Sequence, residues 1–191
     1  MRLPVIAATA AGLLASAAAA QIGNPGFMSA DTRFEEPGKP APHQTNNTDR
    51  LFARLAAAGG MAEVAFGELA GSKASAQSVK DFAAMMVEDH TAANEKLAAL
   101  ADAANIPLPE DLDPAHQRMR EALEAAEGAA FDATYIAGQI ADHQRTAALL
   151  VWEIGQGQDA DLQRFAAETL PVVTHHLDRA QAIHAELTGA D

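Results

Sequence analysis

Three stretches of this 191-residue chain put a histidine where an apolar helical pattern asks for a hydrophobe: "MMVEDHTAAN" at His90, "IADHQRT" at His143 and "VVTHHLD" at His176. A neutral imidazole buried without partners costs about 1–3 kcal/mol for its unmet polar atoms. Three of them at one level must answer one another, a metal ion or nearby acids. Imidazole with carboxylate suits iron, zinc or copper. The candidate ligands are therefore His90, His143 and His176, with Glu63 of "GGMAEVAFGELA" as a fourth, around a divalent metal such as one of those three. The alternative chemistry is a metal-free network, in which carboxylates, backbone, Gln139 and Tyr135 satisfy the rings.

Asp89 and Asp142 each precede one of these histidines. Successive helical residues point about 100° apart, so both carboxylates face neighbouring helices or solvent rather than a shared centre. His43 falls in a proline-rich segment, His116 and His184 read as surface residues, and His175 lies off-axis beside His176.

The elements that position these groups are helices. Apolar residues step by three and four along Phe52, Leu55, Gly59, Ala62, Phe66 and Leu69, predicting a first long helix from about Asp49 to Ala70. "GSKAS" breaks it, and Ser75 or Ser78 is placed to cap a second helix with the stripe Val79, Phe82, Met86, Ala93, Leu97 and Leu100. Pro107, Pro109 and Pro114 end that helix. A short helix with a charged outer face follows, from Pro114 to Ala126. The third long helix carries Ile136, Ile140, His143, Ala147, Leu150 and Ile154. The fourth begins near Asp159 and carries Leu162, Phe165, Thr169, Val172, His176, Ala180, Ile183 and Leu187. β-Strand signals are missing from the sequence pattern.

Four amphipathic helices bury their stripes most simply as a bundle. Short turns make hairpins of the first and second helices and of the third and fourth. The connection between the second and third is long and holds its own helix, which spans about 20 Å with 13 residues. The expected fold is therefore an all-α, ferritin-like four-helix bundle with a long crossover; an up-down-up-down bundle with a decorated loop is the alternative. The three histidines fall near mid-height in helices about 40 Å long. Glu63 is about ten residues from the first turn, up to about two helical turns from His90 in height.

Within these helices Gly59-Gly60 reads as close backbone approach or room for a ligand, and Pro171 as a bend about one turn before His175. Trp152 reads as a core or capping aromatic.

Residues 1–20 have Arg2, an apolar run and "AAAA" before Gln21, the pattern of a secretory signal peptide, which implies a periplasmic location. The apolar run is shorter than the roughly 20 residues a membrane span needs. Residues 21–47 are proline-rich and aperiodic and read as a flexible tether, leaving 48–188 as the bundle. The chain contains no cysteine, so the bundle stands on its core alone. A net charge of −13 argues against nucleic-acid and anionic-lipid partners.

"GGMAEVAFGELA", "VKDFAAMMVEDHTAANEKLAAL", "GAAFDATYIAGQIADHQ" and "LQRFAAETLPVVTHHLDRAQ" together resemble DUF4142, an exported bacterial domain of unknown function. The resemblance covers about Thr48 to Leu187. It implies a ferritin-like bundle and an exported location, and no activity. The Glu-x-x-His motifs of di-iron bundles are missing: Val87, Ile140 and Val173 stand three residues before the histidines. No nucleophile elbow or phosphate loop occurs either, so whether the chain is an enzyme stays open. Two functions are expected: a non-enzymatic envelope protein, acting in stress or partner binding, or a histidine-rich metal-binding or redox bundle. A haem held by two facing histidines is a third, tested by a visible spectrum. Oligomeric state is not encoded in any of these features.

Overall fold

The structure, a computed structural model, describes residues 41–189. The signal-peptide reading and most of the tether reading lie outside these residues. Five helices follow in order: α1 (Asn47–Lys73), α2 (Gln77–Ala103), α3 (Pro114–Ala125), α4 (Gly128–Gln156) and α5 (Ala160–Thr188). The fold is all-α and ferritin-like, and no strand occurs among the described residues; Ala41 and Asp159 form an isolated bridge. No described helix is long and apolar enough to cross a membrane.

Local chemistry sets the ends of the helices. Asn46 and Asp49 form a reciprocal capping box at the start of α1. Asp113 caps α3 ahead of Pro114, and Asp159 caps α5. The start of α2 corrects the expectation that Ser75 or Ser78 caps it. Neither does; the Asp132 carboxylate of α4 accepts from the Ser75 and Ala76 amides at 2.9 and 2.8 Å and from the Ser75 hydroxyl. A tertiary cap carries three bonds where a local serine offers one.

Two contacts fix the direction of the chain. Asp132, near the start of α4, lies at the α1–α2 turn, whereas Gln156, at the end of α4, accepts a 3.0 Å bond from Asn46 at the start of α1. So α1 and α4 are antiparallel, and α2 and α4 are parallel. The crossover therefore runs the length of the bundle, with α3 against α1 and α4: Lys73 donates to the carbonyls of Leu123 and Glu124, and Met119 fills the space above Gly138. The last residues of the expected tether are held too, since the Ala41 amide donates to Gln158 at 3.2 Å.

The core has two apolar halves. One, at the α1–α2 turn, gathers Phe66, Phe82, Met86, Phe131, Tyr135 and Ile183. The other gathers Phe52, Leu97, Leu150, Leu162, Phe165 and Val173. Three positions expected in the apolar stripes are instead exposed: Leu55, Ile154 and Val172. In α1 the buried face turns onto small residues, because Gly60 meets Asn94 and Gly67 meets Val87 and Ala83 across the hairpin. Close helix approach needs that small-residue face inside, and Leu55 rotates outward. In α4 and α5, Glu153 and Val173 take the places expected for Ile154 and Val172.

Candidate metal centre

Between the two apolar halves lies a polar layer made by all four long helices. His90 comes from α2, His143 from α4 and His176 from α5, with 9%, 1% and 1% exposure. Their rings form a nearly equilateral triangle, with centroid separations of 5.5, 5.5 and 5.4 Å. One nitrogen from each ring can be chosen so that all lie within 4.8 Å of one another.

The partners of the rings decide where the protons sit. His143 Nδ1 lies 2.9 Å from the Gln139 carbonyl, which can only accept, so Nδ1 carries the hydrogen. His176 Nε2 lies 2.8 Å from the Asp89 carboxylate and donates to it. In the neutral rings the lone pairs then sit on His143 Nε2 and His176 Nδ1, which face each other at 3.3 Å. A hydrogen bond between them needs an extra proton. Burial, then the neighbouring His176, pushes the His143 pKa down to about 4 and so keeps that proton away near neutrality. Burial, then His143 and His176, drives His90 down to about 3, and His90 Nε2 is buried with no partner among the described residues. Burial lowers His176 as well, against the opposing pull of Asp89.

Two nitrogen lone pairs thus face each other with no proton between them, and His90 brings an unpartnered ring nitrogen beside them. Two nitrogens bound to a tetrahedral ion at about 2.0–2.1 Å lie about 3.3 Å apart, the spacing His143 and His176 already have. Each of these rings also has a carbonyl or carboxylate on its far nitrogen, the usual means by which a protein orients ligand imidazoles.

Glu63 stands beside the trio, on the far side of His143. Its Oε1 is 3.6 Å from His143 Nδ1, the protonated nitrogen, and its Oε2 accepts from Gln139 at 2.5 Å. Burial raises its pKa to about 8. Among the described residues Tyr135 does not join a hydrogen-bonded network, because its buried hydroxyl finds no partner there. Asp142 turns away to Arg145 and to His116 of the crossover helix. His116 is half-buried against Phe66 and Asp113 rather than at the surface. Asp89 reaches the neighbouring helix, as its offset from His90 requires, but the residue it serves there, His176, was not legible from spacing.

Residues 34–183 match the family described as a domain of unknown function, DUF4142. The chain belongs to that family. The DUF4142 chain is also similar in fold to the crystal structure of a DUF305 fragment from Deinococcus radiodurans, with a TM-score of 0.66 and 11% identity over 74% of this chain and 98% of that one. At that identity the likeness speaks for the fold alone. No curated protein matches this DUF4142 chain.

Proposed function

We propose that this DUF4142 protein is an exported bundle that holds one divalent transition-metal ion on His90, His143 and His176. The supporting observation is the pair of lone pairs facing each other at 3.3 Å, each fixed by a partner on the other side of its ring. A cation between them converts a repulsion into two bonds, and His90, buried beside them with an unpartnered nitrogen, supplies a third. All-imidazole donors suit copper and zinc best, and the general affinity order of divalent ions favours copper. Glu63 stays beside the ligands, where it contacts His143 and Gln139. The signal-like residues 1–20 support a periplasmic site of action, where such ions arrive from outside the cell.

The competing reading is a metal-free envelope bundle that binds a protein partner. It draws support from the bonds that His143 and His176 already make to Gln139 and Asp89. Metal analysis of protein purified without a histidine tag separates the two. One equivalent of copper, zinc or iron, lost in His143→Ala and His176→Ala, supports the metal site. A metal-free protein whose stability is unchanged by added copper or zinc overturns it.

A further inference from the structure

Three ligands leave a tetrahedral ion one position short, and in a zinc or copper site that position is where an outside molecule binds. The ligands come from α2, α4 and α5, so the helix that supplies no imidazole is α1. On that side the bundle is not filled. A cavity of about 40 Å³ abuts the His90 corner of the trio, and its wall includes His90 and Glu63 together with Gly59, Gly60, Asn94, Thr146 and Thr169. A Cβ placed on Gly59 would meet nothing within 4 Å, whereas one on Gly60 would collide with the Asn94 side chain at 1.9 Å. Both glycines line the cavity, but only Gly59 has room for a side chain: Gly60 lets α1 approach Asn94 of α2, and Gly59 borders open space. Apolar residues Leu97, Leu150 and Phe165 close the other side of the cavity.

We propose that this cavity is the binding pocket for a small exogenous ligand of the metal. The inference rests on the metal reading above. The ligand is limited to about one to three non-hydrogen atoms, since one water needs about 10–15 Å³ of such space. Water, dioxygen-sized molecules and triatomic anions such as azide meet that limit; amino acids, sugars and nucleotides do not. Asn94, Thr146 and Thr169 supply hydrogen-bonding groups for a polar ligand, and the apolar wall tolerates a diatomic one. The site is thereby suited to small-molecule binding at a metal rather than to a metal closed off by four protein ligands.

The experiment uses the full chain loaded with Cu(II) and titrated with sodium azide, following the azide-to-copper charge-transfer absorption. The expected result is a saturable new band. In Gly59→Leu, which places a side chain in the cavity, azide affinity falls at least about tenfold while copper stoichiometry is retained. Ala93→Leu fills the same space from α2 and gives the same loss if Gly59→Leu fails to fold. A copper-loaded protein that shows no azide band overturns the pocket and leaves the metal site standing. So does an azide affinity unchanged by either filling variant. A protein that takes up no copper overturns the metal reading and the pocket together.

Discussion

The hydrogen on Nδ1 of His143 is set by the Gln139 carbonyl, and the hydrogen on Nε2 of His176 is set by Asp89. Orientation by such partners is worth about 10–100-fold in metal affinity where it has been removed. Asp89→Asn can donate toward His176 instead of accepting, which turns the ring to the wrong tautomer. Copper affinity is expected to fall about 10–100-fold in this variant with the helical content unchanged, as measured by competition with a chelator. Glu63→Gln is expected to fall much less, because Glu63 meets His143 on the protonated side. At the other end of the bundle, Glu153 is fully buried, and burial, then Asp49, then Asp159 drive its pKa up to about 9. It is protonated near neutrality and faces Asp49, whose carboxylate binds the amides of Gln158 and Asp159 at 2.9 and 3.0 Å. An unfolded glutamate loses its proton near pH 4.5, so this group makes the folded state progressively less stable as pH rises from there toward 9. Glu153→Gln keeps the shape of the buried side chain and stays neutral at every pH, so it lacks that penalty. It is expected to be about 1–3 kcal/mol more stable than the native protein at pH 8 and close to it at pH 5, by urea unfolding.

At the scale of the element, α1 and the start of α2 depend on contacts that local propensity does not describe. Alanine is favoured over glycine in a helix by about 1 kcal/mol. Gly59→Ala is expected to gain most of that, since its Cβ meets nothing. Gly60→Ala is expected to lose about 1–3 kcal/mol instead, because the Asn94 side chain stands in the way. Thermal unfolding of the two variants in parallel checks the sign of each. Asp132→Ala removes the cap on α2 and leaves the Ser75 and Ala76 amides without it, for an expected loss of about 1–3 kcal/mol. The helices themselves were legible as apolar periodicity, and most of their ends as prolines and glycines, but the cap of α2 was not, because it comes from Asp132 on another helix. The exposed Leu55 and Val172 and the buried Glu153 were not. A three-four pattern gives a face to within about one residue, and which residue turns inward is settled by how closely the neighbouring helix approaches.

The whole molecule responds to protons through its buried titratable groups, and a bound metal would act through the same histidines. His90 and His143, held down to about 3 and about 4, are neutral in the fold where the unfolded chain would charge near pH 6.5. They make stability fall as pH drops from 6.5. Glu63 and Glu153, held up to about 8 and about 9, make it fall as pH rises from 4.5. Each group contributes a slope of up to about 1.4 kcal/mol per pH unit. The slopes oppose one another between 4.5 and 6.5, so the metal-free protein is expected to be most stable there and to weaken toward pH 8. A metal ion at about 100 times its dissociation constant adds about 2.7 kcal/mol, equivalent to about 5–10 °C in a domain of this size. Calorimetry with and without copper reads that shift, and His176→Ala is expected to abolish it.

The amino-acid sequence by itself determined the four amphipathic helices, the long connection between the second and third, and the mid-height level of His90, His143 and His176, because rise per residue and hydrophobic period are properties of the chain alone. That the connection crosses the bundle was settled by tertiary contacts. The tertiary structure decided the rest. Glu63 meets the protonated side of His143, Asp89 orients a histidine on another helix, and Gly59 has room for a side chain while Gly60 meets Asn94. These depend on the rotation of each helix about its own axis and on which nitrogen of a ring faces inward. Packing sets both, and periodicity leaves them free.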